Sequence, residues 1–309
     1  MKNMVLKAAV MSALGLVSAQ AVATGLVNVP DTGFAVGSDT SPYTLCNTTG
    51  NFGSEDATWP TTSANNTCAV FPANVNTAPE SGYTMVASTT RNMVLNDSAH
   101  TNNSDVTVGT IVDRVWRNPT TSECIYGAQF TMLNVDYDLN ETGTQLFEVN
   151  DFVRSGFDGR DVAVGYYHTG ISQMDVLYRV GRTNVSVQHR ADPDNEDDPA
   201  EGYVGQPLTT PTPAYTPING VEAWNGGNFA VPDTDEQSAT LDSDYVDLTI
   251  DANFQDDDGS HTKQSPWLYV KTSCSSSTHT ASSGALTFRQ TAQEEAPWIS
   301  FSINGYKPN

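Results

Sequence analysis

Alternating hydrophobic and polar positions dominate the chain from Val106 onward. A period of two residues is typical of β-strands that bury one face, and turn-forming residues separate the alternating segments. The predicted strands are 106–116, 123–135, 145–153, 161–169, 175–181, 183–189, 245–254, 265–274, 284–290 and 296–305. About ten antiparallel strands predict an all-β fold, an antiparallel β-sandwich, with a closed barrel as the alternative.

Two segments lack this alternation. Residues 24–105 are rich in Thr, Asn, Ser, Pro and Gly, which predicts a long loop-rich N-terminal layer with a few short strands. Residues 191–240 contain acidic runs and spaced prolines, which predicts an insertion without strand pairing in a sandwich that spans 106–309. Apolar side chains inside the N-terminal layer indicate that it packs onto the sandwich: Trp59, Phe71, Tyr83 and Met85.

The first residues have the pattern of a signal peptide, predicted to span 1–23. Lys2 and Lys7 lie near the start, an apolar stretch follows, and small residues precede a cleavage point after Ala21 or Ala23. The apolar stretch of about 10 residues is too short for a membrane-spanning helix, which needs ~20. We therefore expect a secreted, periplasmic or outer-surface protein of a bacterium without a transmembrane segment, whose cell-surface association would need a partner or a lipid.

Four cysteines follow the signal peptide: Cys46, Cys68, Cys124 and Cys274. An even number in an exported protein predicts two disulfides, and zinc is disfavoured because no C-x-x-C pair is present. Cys46 and Cys68 share the loop-rich segment, so we expect them to pair and to leave Cys124 with Cys274 to join the strand-rich halves. The first bridge is then expected outside the strand-rich span, so that its reduction would leave the sandwich folded.

The charge balance limits the partners. The chain has 14 Lys and Arg against 36 Asp and Glu, a formal charge of −22, so it should repel polyanions and bind no nucleic acid. The acidic residues fall partly in clusters, and hard cations prefer such oxygen ligands. Candidate calcium ligands are therefore predicted, with a solvated acidic surface as the alternative: Asp192, Asp194, Asp256 and Asp258.

Histidines are the remaining donors for a softer metal, because imidazole suits copper, zinc and nickel. His168 and His189 each end a predicted strand, and antiparallel packing through strand 175–181 would bring these ends together. His100 is the alternative second ligand, because it belongs to the layer that would cover such a site. A hydrogen-bonded histidine at a strand end is the competing interpretation.

The chain shows none of the common motifs of catalysis. It has no G-x-S-x-G, H-E-x-x-H, Walker loop or G-x-G-x-x-G sequence, so no enzyme activity is expected. Its carboxylates are too numerous for any pair to be assigned as glycosidase acids.

Five short runs carry a family resemblance: DRVWRN (113–118), CIYG (124–127), FEVND (147–151), GYYHTG (165–170) and LYVKTSC (268–274). They resemble the copper-repressible surface proteins of methanotrophs, the MopE and CorA type, over about residues 106–274. The resemblance implies a secreted or outer-surface protein that binds copper through two histidines and a tryptophan oxidised to kynurenine. It also implies calcium binding and a cytochrome c peroxidase partner.

The chain departs from that family at the metal site, because none of its tryptophans begins the family's Trp-x-His sequence. Only His168 is carried over as a ligand, through its GYYHTG context, and no kynurenine precursor is assigned. Trp116 and Trp267 are predicted to be strand residues of the core, since an indole buries a large apolar area.

Two classes of function follow. The first is a copper-binding protein for acquisition or storage, with structural calcium, and the alternative is a non-enzymatic structural or adhesive surface protein. A carbohydrate-binding module is a third interpretation, and its exposed aromatic side chains would come from the proline-rich insertion: Tyr203, Tyr215 and Trp224.

Overall fold

The computed structural model describes residues 25–36, 39–47, 58–170, 176–184, 241–255, 263–290 and 299–309. The predicted signal peptide (1–23) and insertion (191–240) lie outside the described residues. None of the described residues forms a helix long and apolar enough to cross a membrane.

Two antiparallel six-stranded sheets pack face to face, which confirms the all-β sandwich. The first sheet has the order β1 (Val27–Asn28), β9 (Ala163–Tyr167), β12 (Trp267–Ser273), β7 (Glu123–Met132), β6 (Val106–Asn118) and β5 (Thr84–Leu95). The second has the order β14 (Ile299–Tyr306), β13 (Ala281–Gln290), β8 (Val149–Ser155), β11 (Tyr245–Ala252), β10 (Arg179–Gly181) and β4 (Tyr43–Leu45). A separate hairpin joins β2 (Phe34–Val36) to β3 (Asp39–Ser41).

The main core lies between the two sheets, where alternate residues of each strand point inward. Three phenylalanine rings meet across it, Phe130 from β7 in the first sheet and Phe152 and Phe288 from β8 and β13 in the second. Their centroids lie 5.3–5.9 Å apart, within the usual range for favourable aromatic pairs. The alternation read from the sequence therefore corresponds to the inner faces of the sandwich.

The N-terminal segment contributes more sheet than its composition suggested. It contains β1, β4 and the 12-residue β5, which pairs with β6 along its length. The expectation of only a few short strands was wrong for β5. Its exposed positions are Thr, Ser and Asn apart from Val86, as suits the solvent face of an edge strand, so the low apolar content concealed a regular alternation of exposed and less exposed residues.

Residues 58–83 form a coat over the outer face of the first sheet. Val70 and Ala78 of this coat pack on a second, smaller core that contains Trp116 and Trp267. Both indoles are only 1% exposed, and Trp116 Nε1 donates a hydrogen bond to the coat at Asn76 O over 3.2 Å. The predicted roles of Trp116 and Trp267 as buried strand residues are therefore confirmed, in a core on the outer face of the sheet.

Both predicted disulfides are present, Cys46–Cys68 with an S–S distance of 2.03 Å and Cys124–Cys274 with 2.06 Å. The second joins β7 to the residue after β12, so it links neighbouring strands of one sheet. Cys46 follows β4 of the second sheet, whereas the Cys68 carbonyl accepts a hydrogen bond from Tyr166 N in β9 of the first, at 2.8 Å.

The Cys46–Cys68 bridge thus ties the two sheets together, and both cysteines are buried in the main core. The expectation that it lies outside the strand-rich span was wrong. The sequence distance between Cys68 and β9 concealed their contact, because β9 comes about 95 residues later in the chain but forms an antiparallel pair with the N-terminal β1.

Candidate functional site

His168 is the first residue after the paired part of β9. The register pairs Tyr167 with Trp267 of β12, and the strand ends there, which leaves the half-buried imidazole at the edge of the sheet. The His168 ring lies 4.7 Å from the Trp59 ring, centroid to centroid, with the planes tilted by 47°. Trp59 belongs to the coat and is 43% exposed, so the pair lies at the solvent boundary.

A glycine in the GYYHTG run lets the coat approach β9. A Cβ at Gly165 would lie 2.9 Å from the Cys68 carbonyl oxygen and 2.6 Å from Leu26 Cδ2. These distances are too short for any larger residue, so only glycine permits the chain around Cys68 to lie against the strand. The coat, which contains Trp59, is therefore held beside the strand that precedes His168.

The pair combines two kinds of attraction for a soft cation. A neutral imidazole nitrogen is a ligand for copper, zinc or nickel. The face of an indole attracts a cation that lies within about 6 Å of the ring centroid. An ion bound to His168 would lie near the Trp59 ring, and further ligands would have to complete its coordination.

His100 lies in a different setting. It follows β5, its Nδ1 lies 2.8 Å from Asp97 Oδ2, and its backbone N–H donates to Asp97 Oδ1 over 2.6 Å. Burial raises the pKa of Asp97, but hydrogen bonds from His100 and Thr101 lower it by more, so the pKa is below its usual value. These contacts make His100 part of a capped turn, with one ring nitrogen held by a carboxylate.

His100 and His168 also start from distant strands. β5 is the fourth strand from β9 in the sheet, which corresponds to about 19 Å at about 4.8 Å per strand. The described loops show no contact between the two rings, and the Tyr137 ring is the neighbour of His100, at 6.1 Å. The sheet therefore gives no support to His100 as the second ligand.

The other predicted ligands lie outside the described residues: His189, Asp192, Asp194, Asp256 and Asp258. The reason for pairing His189 with His168 was wrong, however. β9 pairs with β1 and β12 in the first sheet, whereas β10 pairs with β4 and β11 in the second, so strand 175–181 does not link the two histidines. Within the described ranges, no group of three or more His, Cys, Asp or Glu side chains is placed to hold a metal ion.

The structure shows a third histidine environment that the sequence did not indicate. His279 packs between Tyr126 and Tyr306, with its Nε2 3.6 Å from Cys124 Sγ. Burial lowers the pKa of His279, which favours the neutral imidazole. Only the pairing of distant strands brings these residues together, so no local motif could have revealed the contact.

Two carboxylates on the second sheet were also missed. Asp151 of β8 and Asp247 of β11 are buried beside Arg289 of β13, whose Nη1 lies 3.4 Å from Asp247 Oδ2. Burial, and then the charge of Asp151, raise the pKa of Asp247 well above its usual value. Thr249 Oγ1 donates a hydrogen bond to Asp151 Oδ1 over 3.2 Å. The arrangement therefore favours the protonated form of Asp247.

No protein-family model matches the sequence, and it has no significant match among curated proteins or among solved structures. The resemblance to the methanotroph copper proteins therefore stays a prediction.

Proposed function

We propose that the chain is an exported, non-enzymatic β-sandwich protein that binds copper through His168, for copper acquisition or storage. The contact between His168 and Trp59 carries this proposal, because it places an imidazole ligand and an aromatic face together at the solvent boundary. The two disulfides support export, since such bonds persist in oxidising compartments.

The proposal assigns a different role to each side chain of the pair. His168 supplies a metal–nitrogen bond, so its loss should remove most of the affinity. Trp59 adds a weaker attraction and reports on the ion, because bound copper quenches the fluorescence of a nearby indole. Structural calcium at the acidic runs and a cytochrome c peroxidase partner belong to the same proposal and rest on the resemblance and on the carboxylates of the sequence.

Titration of the secreted chain with copper in the presence of ascorbate tests the proposal. We expect stoichiometric binding, a loss of affinity of about tenfold or more in His168→Ala, and loss of most of the quenching in Trp59→Phe. His100→Ala is the matched control, because one ring nitrogen of His100 is already held by Asp97. The affinity of this variant for copper should be unchanged.

Two results would reject the proposal: no copper bound to the wild-type protein, or a His168→Ala affinity within about threefold of wild type, a difference of less than 1 kcal/mol. Either result would favour the structural or adhesive alternative. Far-UV circular dichroism of each variant establishes that the sandwich is intact.

A further inference from the structure

A cleft of about 360 Å³ opens on the outer face of the first sheet, beyond the edge of the coat. The position of the cleft follows from the alternation along β12. Trp267 and Tyr269 lie under the coat, whereas Lys271 and Ser273, the next residues on the same face, line the cleft. The coat therefore ends where a polar, uncovered part of the sheet begins.

Charges of both signs line the cleft. Glu123 and Lys271 come from β7 and β12, and Arg160 and Asp161 come from the turn before β9. The coat engages Lys271, whose Nζ donates to both carboxylate oxygens of Glu80, at 2.8 and 2.9 Å.

Glu123 is held in its ionised form. Tyr83 of the coat donates a hydrogen bond to Glu123 Oε2 over 2.9 Å. Hydrogen bonds from Thr121 and Tyr83 and the charge of Lys271 outweigh burial and lower the pKa of Glu123. The cleft therefore contains a permanent negative charge beside the coat.

Arg160 differs from Lys271, the other cationic side chain that lines the cleft. Its Nη1 donates to the Ser273 carbonyl oxygen at 2.9 Å and to Ser273 Oγ at 3.4 Å, and among the described residues it forms no ion pair with a carboxylate. A guanidinium carries five N–H donors, so most of its hydrogen-bonding capacity is left. In a chain of net charge −22, such an arginine can donate hydrogen bonds to the carboxylate of a ligand.

The walls of the cleft are fixed from behind. The buried guanidinium of Arg182 donates to the carbonyl oxygens of Phe157 at 3.2 Å and of Arg160 at 3.3 Å, which fastens the turn. Thr272 Oγ1 donates to the Asp161 carbonyl oxygen over 2.7 Å, and the Cys124–Cys274 bridge fixes the ends of β7 and β12. A site that is already rigid binds its ligand at a lower entropic cost.

We infer that this cleft binds a small zwitterion, a free α-amino acid, with its carboxylate on Arg160 and its ammonium group between Glu123 and Asp161. The volume is within the range of small-molecule sites. None of the described lining residues is aromatic, so the cleft lacks a ring on which a sugar could stack. The site is separate from His168 and does not depend on copper.

Saturation-transfer difference NMR of the full secreted chain with an equimolar mixture of L-amino acids tests the inference, with glucose as the uncharged control. We expect saturation transfer to at least one amino acid and none to glucose. The N-acetyl and amide derivatives of that amino acid, which each lose one charge, should bind about tenfold more weakly or worse.

Arg160→Gln should weaken binding by about tenfold or more. Arg160→Lys should weaken it by less, because it keeps the charge but loses the planar guanidinium that can bond a carboxylate through two N–H groups. Arg117→Gln is the matched control, because Arg117 lies outside the lining of the cleft. This variant should bind the amino acid with the affinity of wild type. Thermal unfolding of each variant reports whether the fold is intact. The inference is overturned if no amino acid shows saturation transfer, if glucose binds equally well, or if a folded Arg160→Gln binds within threefold of wild type.

Discussion

Replacing Arg154 alone should destabilise the sandwich more than replacing it together with Asp113. Arg154 of β8 and Asp113 of β6 form an ion pair between the sheets, with Nη2 and Oδ1 2.6 Å apart and both side chains buried. Tyr306 joins them, since its N–H donates to Asp113 at 2.8 Å and its carbonyl accepts from Arg154 at 3.2 Å. In Arg154→Met, the buried Asp113 carboxylate would keep this N–H as a hydrogen-bond donor and Arg91 as a cation 3.7 Å away, but it would lose Arg154. This loss should cost about 3–5 kcal/mol of stability.

The double variant Asp113→Leu, Arg154→Met removes both charges. Its main costs are the loss of side-chain partners for the Tyr306 N–H and carbonyl groups and the loss of the carboxylate beside Arg91, together about 1–3 kcal/mol. Because Asp113→Leu alone should also cost about 3–5 kcal/mol, the cycle should show a coupling energy of at least about 3 kcal/mol. Urea unfolding, followed by circular dichroism, measures the free energy of unfolding of each variant. The comparison requires that all variants have the same m value, the slope of this free energy against urea concentration.

Arg117→Met is the control for the loss of an arginine that is not in this ion pair, and it should cost less than about 1 kcal/mol. Additivity of the two single variants within about 0.5 kcal/mol would refute the reasoning, because it would mean that the two charges do not depend on each other.

Two further predictions concern the disulfide between the sheets and the buried carboxyl pair. The double variant Cys46→Ala, Cys68→Ala should lower the free energy of unfolding by about 3 kcal/mol, because the unfolded chain is then no longer constrained by the closed loop. An unchanged urea midpoint would contradict a bridge that stabilises the contact between the sheets. Because burial and the charge of Asp151 raise the pKa of Asp247, the folded state binds the proton more tightly, and stability should fall as pH rises from the usual carboxyl range through the raised pKa. Asp247→Asn should therefore melt above wild type at pH 7 to 8, with the difference shrinking as pH falls, and parallel melting curves against pH would contradict this assignment.

The sequence allowed the fold class to be predicted because the alternation of apolar residues is local. The strands from β6 onward each contain enough inward apolar positions to be recognised, as in Val108, Ile111 and Val115 of β6. β5 was missed because the outer face of an edge strand needs no apolar residues, so its Ser and Thr positions resembled those of a loop. The sheet order could not be read from the chain, because β9 pairs with β12 about 100 residues later and with β1 about 135 residues earlier.

The candidate site was predictable only in part, for the same reason. His168 could be selected because it ends a strand, which is a local property. Its contact with Trp59 joins residues that are more than 100 positions apart, and it depends on the coat crossing the first sheet. The cleft was not predicted, since Arg160 and Lys271 gain their relation only through the pairing of β9 with β12.

The coat, residues 58–83, supplies one partner to each feature that the proposals use. Trp59 packs on His168, Cys68 closes the bridge between the sheets, and Glu80 and Tyr83 hold two of the charges in the cleft. Loops commonly carry function when a rigid scaffold positions them, and here the scaffold is the outer face of the first sheet. The composition that predicted a loop-rich layer therefore identified the segment on which both proposed sites depend. Each site also needs a residue from elsewhere in the chain, and only the order of the strands brings that residue next to the coat.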